Sequence, residues 1–177
     1  MTWQLYPAGI EATTYTVGDF LLVDRGKYVG KLIRYAQALR FRGADRVYSK
    51  WNHAALVVSE QGDLVEALVR TGATRSHVDK YKDVDYVVVR TNAVPLDQQQ
   101  ILYFADRIVG EDYGFASCLC VIVGFVTWNH FSFGVNSSIM CSQLVALAQT
   151  RAGAYFDRNA ENICPADLAR PCCRVAV

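Results

Sequence analysis

The chain lacks an excess of charge of either sign: 18 lysines and arginines stand against 17 aspartates and glutamates, for a formal charge of +1. So even a balance offers no electrostatic footprint for nucleic acid or an anionic membrane surface, and no nucleic-acid partner is expected. Proline is scarce, with 4 in 177 residues, and glycine is limited to 12. With 52% hydrophobic and 20% charged residues, that composition excludes disordered, collagen-like and coiled-coil chains. The apolar run from Phe115 to Trp128 ends at Asn129 and His130, short of the roughly 20 residues a membrane helix needs, so no integral span is expected. The opening MTWQLYPAGIEATTY has no basic segment before an apolar core and includes Glu11, unlike a secretory signal. A cytoplasmic protein is expected, with delivery by a phage or a secretion system left open.

The six cysteines include no CxxC pair, and none of the three histidines stands at zinc-finger spacing from a thiol, so neither a structural metal nor any cofactor is expected. A chain of this size hides roughly 70% of its unfolded surface in one domain, enough for a core without disulfide staples. The thiols are therefore read as reduced. Cys118 and Cys120 fall in the apolar run, Cys164 precedes a proline, and Cys172 and Cys173 belong to the tail. No linker or repeat divides the chain, which is read as a single domain over 1–177 with its core at about 17–170.

Hydrophobic periodicity predicts a strand at Val17–Asp24, introduced by a Gly-Asp turn and buried on both faces. Between Lys31 and Phe41, Leu32, Ile33, Tyr35, Ala36 and Leu39 share one face, with Lys31, Arg34 and Arg40 elsewhere, which predicts a helix. A basic connector with Arg40, Arg42, Arg46 and Lys50 follows, read first as a solvated link and, from its place before His53, alternatively as a recognition loop for a carboxylate- or phosphate-bearing substrate. His53–Val58 and Leu64–Val69 flank Ser59–Asp63 as a hairpin, and Asp85–Arg90 is a further strand. Helices are predicted from a cap at Asp97 to about Val109, over the apolar run from 115 to 128, and from Cys141 to about Gly153.

Three residues in this arrangement carry chemistry. His53 opens a strand, Glu66 lies on the neighbouring strand, and Cys141 starts an apolar helix. The positive end of a helix dipole and its free amides stabilise a thiolate. An imidazole beside it takes the proton and returns it to a leaving group, and a carboxylate on the far ring nitrogen fixes the tautomer. With the hairpin turning at Gln61-Gly62, Glu66 shares the face of His53 but lies about four rows away, roughly 13 Å. A turn at Ser59-Glu60, a bulge or strong twist closes that gap; otherwise Asp85 or Asn52 orients the ring.

The order of these pieces resembles the papain-like NlpC/P60 superfamily in its circularly permuted form, which includes the YiiX-like proteins and, more distantly, lecithin retinol acyltransferase relatives. The matching blocks are Gly18-Asp19-Phe20-Leu21-Leu22, Trp51-Asn52-His53-Ala54-Ala55-Leu56-Val57-Val58, Leu64-Val65-Glu66-Ala67, Gly110-Glu111-Asp112-Tyr113 and Met140-Cys141-Ser142-Gln143-Leu144-Val145. Histidine before cysteine marks the permutation. The resemblance implies an α+β fold, with a small antiparallel sheet packed on the helix that carries the nucleophile. It implies Cys141 as nucleophile, His53 as base, Glu66 as orienting residue, and Tyr113 facing the thiol, with the Cys141 amide as an oxyanion donor. Trp51 and Asn52, beside His53, are candidate substrate contacts. Gln143 stands where such proteins often carry Glu.

The implied activity is a cysteine hydrolase acting on an amide of a small peptidic or acylated substrate. A lipid acyl hydrolase or acyltransferase, using the 115–128 stretch as its groove, is the alternative within the superfamily. A non-catalytic binding module on the same fold is the alternative outside enzymology. His77 and His130 compete with His53 but lack its strand setting.

Overall fold

The computed structural model describes residues 1–26, 28–113, 138–156 and 158–172. It is an α+β protein built on a six-stranded sheet in which every neighbouring pair is antiparallel. The strands are β1 (Thr2–Tyr6), β2 (Phe20–Val23), β3 (His53–Val57), β4 (Asp63–Leu68), β5 (Gly72–His77) and β6 (Tyr86–Arg90), in the order β1-β6-β2-β3-β4-β5. A short parallel pair, β7 (Asp112–Tyr113) and β8 (Ser138–Ile139), forms a second sheet. The helices are α1 (Tyr28–Arg40), α2 (Pro95–Ile108), α3 (Cys141–Arg151) and α4 (Pro165–Cys172).

The central strands are buried on both faces, as the unbroken apolar runs FLLV and HAALV require. Alternate residues divide between two cores. Phe20, Leu22, Ala54, Leu56, Val87 and Val89 pack with residues of α2, α3 and α4. Leu21, Val23, Ala55, Val57 and Val88 face the other way, where Ala12, Tyr15, Val78 and Tyr81 close the sheet. Two polar anchors hold α3: Ser142 Oγ donates to the Ile163 carbonyl at 2.6 Å, and Gln149 Nε2 donates to the Gly18 carbonyl at 2.6 Å.

Three features depart from the sequence expectations. Helix α2 starts at Pro95 with Val94 as its N-cap, so Asp97 lies in the first turn and does not cap it. A proline needs no intrahelical acceptor for its nitrogen, which lets it open the helix. The basic connector is a 3-10 helix, Gly43–Lys50, flanked by ion pairs of Arg40 with Asp167 and of Lys50 with Asp85. Helix α1 buries Gly30, Ala36 and Gln37, while Leu32, Tyr35 and Leu39 face solvent. Of the five residues on the apolar face read from the sequence, Leu32, Tyr35 and Leu39 are thus exposed, Ile33 is half-buried and Ala36 is buried. Gln37 fixes that orientation: its Nε2 donates to the carbonyls of Trp51 at 2.8 Å and Ser49 at 3.3 Å, and its Oε1 accepts from the Ala166 amide at 3.0 Å.

Candidate active site

His53 is the first residue of β3, so its ring sits where the sheet ends. The hairpin after it turns through Ser59–Gly62, with the Val58 amide donating to the Asp63 carbonyl at 2.8 Å. This pairs Leu56 with Val65 and Val57 with Leu64. Continued one pair further, the register sets Glu66 opposite Ala55, two residues along from His53. That halves the expected separation to about 7 Å between backbones on one face. The side chains close the rest, and His53 Nε2 lies 2.6 Å from Glu66 Oε2.

Glu66 is 0% exposed, and every hydrogen bond it lacks from water is replaced. Its Oε2 accepts from His53 and from the Tyr81 hydroxyl. Its Oε1 accepts from Ser76 Oγ at 2.5 Å and Lys80 Nζ at 2.6 Å. A carboxylate has about four acceptor positions, and all are used. Burial pushes the carboxyl up, but His53, Lys80 and Ser76 outweigh it and hold Glu66 far below the ordinary carboxylate range.

On the other side of the ring is Cys141, the first residue of α3 and buried. Helix α3 packs on the Ala54–Leu56 side of the sheet, and its N-terminus comes to the sheet end where His53 stands. Burial pushes the thiol up, yet the charge and hydrogen bond of His53, with amide hydrogen bonds from Ala54 and Ser142, bring it below its ordinary 9.0. The histidine moves in the opposite direction. Burial pushes it down, and Cys141 first, then Glu66, carry it above its ordinary 6.5. Both shifts favour thiolate and imidazolium over neutral thiol and imidazole. Nε2 of His53 is committed to Glu66.

Ser76, Lys80 and Tyr81 were not among the sequence candidates. Glu66 pairs with Thr74 across β4 and β5, so Ser76, two residues on, shares its face. Lys80 and Tyr81 come from the 3-10 turn Val78–Tyr81 that follows β5. The rings of Tyr81 and His53 lie 6.0 Å apart, so Tyr81 walls the histidine as well as binding its partner. Burial and the Glu66 charge push the Tyr81 hydroxyl up, which keeps it a donor, while the nearby Arg25 charge acts the other way.

The remaining candidates have other places. Asn52 Nδ2 donates to Asp24 Oδ1 at 3.0 Å, and its Oδ1 accepts from the Arg25 amide at 2.9 Å, so its side chain ties down the loop after β2. Trp51 is buried in the core beneath the Lys50 ammonium. Both side chains, candidate substrate contacts from the sequence, are buried in this structure. Asp85 pairs with Lys50 at 2.8 Å and does not orient the ring. His77 is bound to Asp79 at 3.1 Å and to the Gln61 carbonyl at 2.9 Å. The backbone of Tyr113 pairs with Ile139, two residues before Cys141. Gln143 Oε1 accepts from the Met140 amide at 3.3 Å and so supports the helix start.

Cys164 is a second free thiol. Burial and the neighbouring Asp167 push it well above 9.0, so it stays protonated and donates to that carboxylate at 3.0 Å. Cys172 closes α4 and is not part of a loose tail. Cys118, Cys120, His130, the 115–128 stretch and Cys173 lie outside the described residues. Among the described residues no group of three or more histidine, cysteine or acidic side chains is placed to hold a metal, and no helix is long and apolar enough to cross a membrane. No protein-family model matches the chain, and no curated protein sequence matches it.

Proposed function

We infer that the protein is a cysteine hydrolase with a permuted papain-like fold, opening an amide bond in a peptide or an N-acyl compound through Cys141, His53 and Glu66. One observation carries this: a histidine bonded on one nitrogen to a wholly buried, fully coordinated carboxylate interacts with a thiol at the first position of a helix. A core histidine needs no such partner set. An acyl-transfer base needs a fixed tautomer, charge support and a nucleophile within reach.

In the reaction, the Cys141 thiolate attacks the carbonyl carbon. The oxyanion forms beside the amide of Cys141, which as the first residue of the helix has no acceptor within it. His53 gives its proton to the departing amine as the C–N bond breaks, leaving a thioester on Cys141. A water molecule then loses its proton to His53 and attacks that thioester, releasing the acid and restoring the thiolate beside the imidazolium. Glu66 stays ionised throughout and keeps the ring oriented.

The test is intact-mass analysis after brief treatment with iodoacetamide near neutral pH. One fast adduct, mapped to Cys141 and absent from Cys141→Ala, is the expected result. Labelling of Cys141 no faster than of the other thiols, in a protein whose melting temperature shows it folded, overturns the assignment.

A further inference from the structure

We propose that the outer face of α1 docks on an anionic phospholipid surface. Tyr28, Leu32, Tyr35 and Leu39 recur at helical spacing and fall within a stripe about 60° wide. They are exposed by 93%, 50%, 66% and 38% respectively. The stripe lies opposite Gly30 and Gln37, which face the protein. Because Gln37 is held on three backbone groups, the helix cannot roll to bury the stripe without breaking those bonds. The apolar side is therefore held outward.

The charge around the stripe identifies the occupant. Helix α1 carries Lys31, Arg34 and Arg40 and no acidic residue. Arg40 turns inward to Asp167. Lys31 and Arg34 lie along one side of the stripe and, with Tyr35, Ala38, Arg46 and Val47, line an open groove of about 660 Å³ between α1 and the 3-10 helix after it. Val47 adds exposed apolar surface there. Asp45 on that segment is paired with Arg170, and Asp24 meets Arg34 only at 3.4 Å. Near-zero net charge over the chain conceals this one-sided distribution.

Aromatic and aliphatic side chains flanked by lysine and arginine match a bilayer interface, where rings sit at headgroup level and the cations meet phosphate. A purely apolar partner would leave the cations without counter-charges. A purely polyanionic one would leave the stripe in water. This surface is separate from the hydrolase assignment and stands or falls without it.

The test is co-sedimentation of the full chain with phosphatidylcholine vesicles, with and without phosphatidylglycerol. The chain should sediment with the anionic vesicles only, and less as salt is raised. Leu32→Glu combined with Tyr35→Glu should abolish sedimentation. Lys31→Glu and Arg46→Glu should each weaken it by at least about fivefold. Unchanged melting temperatures, expected at such exposed positions, separate lost docking from lost folding. Failure to sediment with anionic vesicles, equal sedimentation with neutral ones, or indifference to the Leu32/Tyr35 variant overturns the proposal. So does a dimer in solution that the same variant dissociates, since a second copy would then occupy the face.

Discussion

Glu66 reaches His53 diagonally across the β3–β4 hairpin, from a position opposite Ala55, and closes to 2.6 Å. The diagonal leaves Oε1 on the β5 side, where Ser76 and Lys80 bind it. The carboxylate is thus shared between the candidate base and the wall of the sheet.

Glu66→Gln should therefore affect both stability and reactivity. The amide keeps the shape but withdraws the charge that Lys80 and the imidazolium face, and its NH₂ group must point toward a donor. Breaking a buried ionic network in this way costs about 3 kcal/mol. Urea unfolding should show that loss, and Cys141 alkylation should slow. An unchanged unfolding midpoint would mean the network contributes nothing net.

His53→Ala removes the cation beside the thiol and leaves only the amides of Ala54 and Ser142 to oppose burial. The midpoint of Cys141 alkylation against pH should then rise. At neutral pH the rate should fall roughly a hundredfold, in the range associated with a lost base. A rate profile unmoved by the substitution would show that the helix start alone activates the thiol.

How much of this was legible in the sequence depended on whether the deciding interactions were local. The double-sided burial of β2 and the start of α3 at Cys141 follow from short-range patterns and emerged as expected. Whether Glu66 meets His53 turned on where a four-residue loop closes, and a one-residue displacement moves the pairing by two rows. Hydrophobic period does not set the orientation of helix α1, because it does not register Gln37, whose three bonds reach residues 12 to 129 positions away. Ser76 gives no signal because GATRSH lacks an apolar rhythm, and Lys80 and Tyr81 lie beyond it on the 3-10 turn Val78–Tyr81. Only pairing with β4 brings that serine to the carboxylate.

Acid should destabilise the protein through Glu66. Its folded pKa lies below the ordinary 4.5, so the unfolded chain binds the proton more tightly. Stability from this group is fully present above pH 4.5 and is lost as pH falls toward the folded value. Below pH 4.5, wild type should lose stability more steeply than Glu66→Gln, whose side chain does not titrate there. Chemical denaturation at a series of pH values measures both slopes, and parallel slopes would place the acid sensitivity elsewhere.

Gly72 tests the strap that leads toward Cys141. Its φ is +65°, and a Cβ built there would lie 2.1 Å from the Glu111 carbonyl oxygen. That carbonyl accepts from the Ala73 amide at 2.8 Å, just before Asp112 and Tyr113 run parallel to Ser138 and Ile139. Gly72→Ala must strain a left-handed residue and also push backbone away from backbone, which has no rotamer to yield. A loss of about 2–3 kcal/mol is expected. Since β8 ends two residues before Cys141, the displacement should also slow alkylation of the thiol. Gly153→Ala serves as the control: its φ is +77°, yet no atom lies within 4 Å of its added Cβ. It carries the conformational strain without the collision, so a smaller loss of stability and an unchanged alkylation rate separate the two effects.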